Sequence, residues 1–359
     1  MEMYKNFSWY KDLPSSTLDI YEPNIELFFE TMYERLMIWK RRFVDKKERP
    51  WTKDKILDKY KFTNVYRDLD KNSQWEIKNI ILDNELTLKN LVWKIMVFRF
   101  FNNPKTFTFD AKEKITEGSL FNCRKLMSAN RWRNGIPDFD KYNEDEFSDF
   151  IRIVRESGQN PYTSAYLINS MAAPKKDRDY CYTRVVIPAL HKNINNIIKA
   201  TLSSKTPEEL ILTLEKLPGV AAFIAHEFYQ DFTYISKYTD RKFMKWTQND
   251  YTNVGPGASI GIRLIYPSLE GFKSQRKAIY LLRDNASKYL DKISNQRGEK
   301  TPYVAFNKKT RKYEIVKECN ITLHQIEMWL CEFQKYWKMQ IGKGKQRSEF
   351  IPTTKKIIV

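Results

Sequence analysis

Apolar residues recur at helical spacing through most of this chain, in residues 25–43, 75–101, 144–157, 188–202, 207–217, 222–234, 275–293 and 322–337. A period near 3.6 gives each segment one apolar face that has to be buried against another helix, so the expected class is all-α. One stretch departs from that period. In residues 303–317, β-branched and aromatic residues alternate on either side of Asn307 to Thr310, the pattern of a small β-hairpin near the C-terminus. No Ser/Gly/Pro-rich linker interrupts the chain. Residues 25–340 are therefore expected to form a single two-lobed helical domain, preceded by an arm over 1–24. Residues 341–359, with two glycines, a basic cluster and no helical period, are expected to form an extended basic arm.

Charge narrows the partners. Lys and Arg number 62 against 44 acidic residues, giving a net charge of +18 and a pI near 9.5, the footprint of a polyanion binder. Aromatic residues make up 14% and glycines number only 11, a composition that favours a packed body over a disordered basic tail. The N-terminal stretch lacks the apolar core of a signal peptide, and no run of about 18 apolar residues occurs, so a cytoplasmic protein with no membrane span is expected. Cys123, Cys181, Cys319 and Cys331 show no C-x-x-C spacing and are read as reduced thiols. Cys319, His324 and Cys331 lack a fourth ligand, so neither a metal nor another cofactor is expected.

The sharpest local signal is Leu217, Pro218, Gly219 and Val220, a turn that opens a helix. Pro218 presets one backbone angle, Gly219 permits a positive φ, and the first amides of the next helix point at an anion. Residues 211–234 are thus read as a helix-hairpin-helix element that grips a DNA phosphate without reading sequence. On the helix it opens, Glu227 and Asp231 lie four apart and share a face, an arrangement suited to acid or base chemistry. A second Gly-Pro-Gly turn, with Gly255 and Gly257, is a further candidate phosphate holder. In the N-terminal block, Pro50 and Trp51 mark a rigid entry into a helix capped by Thr52 or Asp54. Asn64 carries both a donor and an acceptor for a base edge, and Arg67 can stack or bind phosphate. The alternative for Arg67 is a surface ion pair with Asp70.

The hairpin, the helix behind it and the acidic residues that follow resemble the helix-hairpin-helix DNA glycosylase superfamily. That resemblance implies a two-lobed helical fold. It places Phe223 in the slot where some members carry a Schiff-base lysine, so no imine chemistry is implied. It puts Glu227 and Asp231 along the base pocket. The essential aspartate falls on Asp240, in YTDRKFMKW, or on Asp250, before NVGPGASIG, with Asp231 the first choice from its rigid support on the hairpin helix. A wider resemblance rests on residues 41–74, FRFFNNPKTF, AAFIAHEFYQDFTY, NVGPGASIG and HQIEMWLCEFQKY, in that order. These blocks look like the alpha-glutamyl/putrescinyl thymine pyrophosphorylase family, helical domains associated with 5-hydroxymethyluracil DNA kinases. No G-x-x-x-x-G-K-[ST] phosphate loop is present.

The resemblances imply a monomeric enzyme on double-stranded DNA carrying a hypermodified or glucosylated pyrimidine, in a phage or in defence against one. The expected reaction is hydrolysis of the N-glycosidic bond of a flipped base, with Trp51, Asn64, Arg67, Phe223 and Glu227 around that base. The alternatives are an amine transferase on an activated thymine derivative, and a DNA-binding protein without catalysis.

Overall fold

The computed structural model describes residues 22–108, 135–163, 177–344 and 348–351. Helices come in the order α1 Glu22–Trp39, α2 Lys55–Lys59, α3 Lys71–Glu76, α4 Leu88–Phe101, α5 Pro104–Phe107, α6 Glu144–Glu156, α7 Ile187–Ser203, α8 Pro207–Leu214, α9 Ala222–Tyr238, α10 Pro256–Ile265, α11 Phe272–Arg297 and α12 Leu323–Gln340. Strands β1 Tyr303–Asn307 and β2 Lys312–Val316 pair antiparallel between α11 and α12, with Tyr303 opposite Val316 and Asn307 opposite Lys312. The mainly helical class and the hairpin are those expected from the two periodicities. The expectations for residues 1–21, for Cys123 and for residues 345–347 and 352–359 lie outside the described residues.

The chain divides into two compact units. One is split in sequence, Met1–Asp70 with Gln248–Val359, and the other, Lys71–Thr247, is inserted within it. In the split unit, α1 packs on α11 and α12 through aromatic rings. Phe28 meets Phe333 edge-on at 5.4 Å and Phe29 stacks on Tyr289 at 4.8 Å. The Trp329 indole N–H donates to the Phe28 carbonyl at 3.3 Å. Each fully buried ring of this size contributes about 1.5–3 kcal/mol. In α10, Gly257 and Gly261 let the backbone approach α12: a Cβ on Gly261 would lie 2.4 Å from the Leu330 carbonyl oxygen, and one on Gly257 would lie 2.9 Å from Cys331 Sγ. Gly257 and Gly261 thus have a packing role within the helix.

Helix starts follow local side-chain chemistry. Asp54 accepts from the Ile56 and Leu57 amides at 2.8 and 2.9 Å, and is therefore the cap of α2; Thr52 Oγ1 instead receives the Asp54 amide. Thr322 and Gln325 form a reciprocal capping box on α12. The single helix expected over 75–101 is broken, because Asp83 Oδ1 takes the Glu85 amide and Thr87 caps a fresh start at α4.

The described part of the C-terminal arm docks on the N-terminal block. Lys61 N–H donates to the Ser348 carbonyl at 3.2 Å and Phe350 N–H to the Lys59 carbonyl at 2.9 Å. The Phe350 ring lies 6.1 Å from Trp51, with the Arg42 guanidinium 5.2 Å over it.

Candidate functional site

In the inserted unit, α8 and α9 are joined through residues 217–220. Gly219 takes φ +77°, and Val220 N–H closes on the Leu217 carbonyl at 3.1 Å. Pro at the second and left-handed Gly at the third position define a type II turn. The helix it opens has no side-chain cap, because its N-cap is Ala221. Ala221, Ala222 and Phe223 are exposed, Phe223 at 44%, so two small side chains and one aromatic ring stand at the start of α9.

One and two turns further along, Glu227 and Asp231 are buried, and both face Arg99 of α4. Arg99 Nε donates to Asp231 Oδ2 at 2.5 Å while Nη2 donates to Asp231 Oδ1, a two-pronged pair. The same guanidinium reaches Glu76 Oε2 at 3.0 Å and lies 3.6 Å from Glu227 Oε2. Burial alone would lower the Arg99 pKa, but the carboxylates of Asp231, Glu76 and Glu227 outweigh it and hold it well above its ordinary value. The cluster offers an oriented carboxylate beside a permanent cation, held on the rigid backbone of two packed helices. His226 and Gln230, also buried, are joined at 2.9 Å on the neighbouring face of α9.

Sequence reasoning missed Arg99 and Glu76. A signal existed: Arg99 and Lys94 are basic residues inside the apolar run LVWKIMVFRFF, and a buried cation requires a partner. Lys94 finds Asp138 at 3.0 Å and the Ile136 carbonyl at 2.7 Å.

The split unit holds the other expected residues. Asn64 is tied into its own loop: its backbone N–H and its Nδ2 both donate to Asp70 Oδ1 at 2.9 Å, and Nδ2 also reaches the Leu69 carbonyl at 3.0 Å. Arg67 is half-buried, with Nη1 3.8 Å from Met328 Sδ. Burial pushes the Asp70 carboxyl up to about 6, against the pull of the Asn64 amide and of Arg67 and Arg35; nearby Glu332 adds to the rise. Burial likewise brings Arg35 down to about 10. Arg35 donates to the Thr63 and Phe62 carbonyls at 3.1 and 3.4 Å, so this loop is anchored to α1.

Trp51 lines a cleft of about 560 Å³ in the same unit. Asp240 is exposed in the inserted unit and Asp250 half-buried in the split unit. Gly255 N–H faces the Glu327 carboxylate at 3.4 Å, so a carboxylate of α12 already stands at the start of α10. Cys319, His324 and Cys331 do not assemble: among the described residues, no group of three or more His, Cys, Asp or Glu side chains is placed to hold a metal ion. No helix among those residues is long and apolar enough to cross a membrane.

Comparison with known proteins bears on this arrangement. The family described as "5-hmdU DNA kinase, helical domain" matches residues 22–346. A protein named 5-hmdU DNA kinase, from Bacillus phage SP10, is 25% identical over 322 residues, which cover 87% of this chain and 44% of that protein. The chain thus spans less than half the length of this relative. No solved structure matches. The matched span runs from the first described residue of α1 to beyond the end of α12 and takes in both units, and the chain belongs to the family of 5-hmdU DNA kinase helical domains.

Proposed function

We propose that this chain acts on a modified pyrimidine in double-stranded DNA and removes it by hydrolysis, with no cofactor. The observation that carries the reading is α9 itself: an uncapped helix behind a proline-glycine turn, with exposed small residues at its start and the Glu227 and Asp231 pair one and two turns behind. The turn at 217–220 holds a backbone phosphate in the manner of a helix-hairpin-helix. The target base swings out of the stack. As the C1′–N bond lengthens, its electron pair leaves with the base, and positive charge develops on the sugar. An ionised carboxylate stabilises that charge, and water adds its oxygen to C1′ and gives up a proton. The resemblance to helix-hairpin-helix glycosylases puts Phe223 in the slot of a Schiff-base lysine, which supports attack on the sugar by water alone.

Similarity to a protein named as a DNA kinase favours a second reading, in which a group is added to the base instead. One experiment separates the two. The chain is incubated, with and without ATP and an amine, with duplexes carrying 5-hydroxymethyluracil, its pyrophosphorylated form, glucosylated 5-hydroxymethylcytosine or thymine, and the DNA is examined for abasic sites and by nucleoside mass spectrometry. Abasic sites untrapped by borohydride support excision, and a change in the mass of the base supports addition. Neither product on any substrate leaves a DNA-binding protein. Asn in place of Asp231, Asp240 or Asp250, and Gln in place of Glu227, identifies the essential carboxylate, with the melting temperature of each variant measured alongside because Asp231 is also the buried partner of Arg99; a loss of rate in Asp231→Asn that is matched by unfolding counts against a catalytic role.

A further inference from the structure

In the β-hairpin of the split unit, Asn307 pairs with Lys312, and the four residues between them, Lys308 to Arg311, close the turn. Asn307 Oδ1 accepts the Lys309 and Thr310 amides at 3.0 and 3.2 Å, and Asn307 Nδ2 donates to Glu314 Oε1 at 2.9 Å. Thr310 Oγ1 donates to the same carboxylate oxygen at 3.2 Å. The amide and hydroxyl side chains of the turn are thus engaged in shaping it. At the base, the Tyr313 hydroxyl donates to the Asp68 carbonyl at 3.3 Å and Asn320 Nδ2 donates to the Val304 carbonyl at 2.8 Å; Tyr303, Val304 and Tyr313 are buried. A two-stranded hairpin is marginal in water by itself, so these contacts hold the tip in place.

The charges at that tip are not matched. From Asn307 to Glu314 stand four exposed cations, Lys308, Lys309, Arg311 and Lys312, against the single carboxylate of Glu314. Lys309, Arg311 and Lys312 make no ion pair among the described residues. Like charges this close repel one another, which works against the turn. Arg311 adds a backbone cost: its φ is +54°, the left-handed region, where Gly or Asn sits with less strain. Neither feature helps the hairpin fold, so their use lies in what the tip meets.

We propose that the tip of this hairpin is a contact surface for the sugar-phosphate backbone of duplex DNA. The major groove admits a two-stranded ribbon, and cations at the end of one then lie within reach of the phosphates that border the groove. Because the turn's amide and hydroxyl groups are already engaged, the tip holds DNA without reading its sequence. The inference rests on DNA being the partner in the reading above. The surface lies wholly in the split unit and involves neither the turn at 217–220 nor the carboxylates of α9.

The test combines Lys309→Gln, Arg311→Gln and Lys312→Gln, and compares this triple variant with Lys273→Gln, Lys288→Gln and Lys343→Gln, exposed lysines of the same unit outside the hairpin. Affinity is measured across salt concentrations for two duplexes of unrelated sequence, each with and without 5-hydroxymethyluracil. The hairpin triple should weaken binding at least ~10-fold on all of them alike and lower the slope of log K against log salt by about 2–3, near 0.9 per lost phosphate contact. The control triple should lose no more than about 3-fold. Arg311→Gly separates binding from architecture. It should melt no lower than the unaltered chain, since glycine suits the left-handed position, while binding weakens and the salt slope falls by about 0.9. Equal losses from the two triples overturn the assignment, as does a loss confined to one sequence or to the modified duplexes. If the unaltered chain binds duplex and the hairpin variants bind as it does, the hairpin assignment alone falls. If the unaltered chain binds no duplex, the DNA reading falls with it.

Discussion

Two sites, one in each unit, treat charge in opposite ways. In the inserted unit, Arg99 and Lys94 are buried completely, and each is surrounded by carboxylates and carbonyls at close range. In the split unit, Lys47, Lys53 and Arg297 stay at the mouth of a cleft with no acidic partner among the described residues. Away from water an ion that is not matched is prohibitive, so a buried charge is evidence of a fixed geometry. At the surface an unmatched ion is cheap and acts at a distance set by salt, so it is evidence of what approaches from outside. One site uses charge to hold its own side chains still, and the other leaves it open to solvent.

The contrast breaks first at Arg99. Arg99→Met leaves Asp231, Glu76 and Glu227 buried without their cation and should lower stability by about 3–5 kcal/mol, read as a fall in the urea midpoint. Arg99→Lys keeps the charge but loses the two-pronged geometry, and should fall between the two. If Arg99→Met unfolds no more easily than the unaltered chain, the buried cluster is not what orders α4 against α9. Gly261→Ala probes the split unit at its tightest contact. The added methyl meets the Leu330 carbonyl oxygen and should cost about 1–3 kcal/mol by thermal melting.

Asp70 sharpens the comparison through pH. Its carboxyl rises from 3.8 to about 6 on folding, so the native state binds a proton that the unfolded chain gives up. The stabilising contribution is complete below pH ~4 and is lost as pH rises through about 6, an effect of about 1–3 kcal/mol. Asp70→Asn, which keeps an acceptor for Asn64, should flatten the stability profile between pH 4 and 6 relative to the unaltered chain. Coincident profiles would show that Asp70 keeps its ordinary acidity. The smallest effect is expected where charges are paired in the open. Arg152→Ala removes pairs with Asp149 and Glu156 on the exposed face of α6 and should shift stability by less than ~0.5 kcal/mol.

Much of this architecture was legible in the chain. The 3.6-residue period is strong wherever a helix buries one face, as in residues 222–234, and α9 simply continues it to Tyr238. The strands were legible because Tyr303, Val304 and Phe306 precede, and Tyr313 and Ile315 follow, a turn at Asn307 to Thr310. Less was legible in the site. A cation in an apolar helix announces that a partner exists, but the partner of Arg99 lies 132 positions away, and no local pattern names it. Asn64 looked equipped for a base edge because its neighbours were read singly; its loop turns back so that Asp70 claims both its N–H groups. Gly257 was read as part of a turn, whereas its spacing of four from Gly261 also describes two small residues on one helix face. The cleft draws on residues from Leu27 to Tyr336, a span no window of periodicity covers.

The discontinuity of the split unit has a consequence for how the chain matures on the ribosome. Helix α1 is made early, yet the rings that cover Phe28 and Phe29 come from Phe333 and Tyr289, 305 and 260 residues later. The inserted unit is contiguous and has its own core, so it can complete its packing while α1 still waits with its apolar face exposed to chaperones. Slow closure of this long loop should therefore set the pace of maturation, and nascent chains halted before α12 should be held by chaperones or degraded even though the inserted unit has folded.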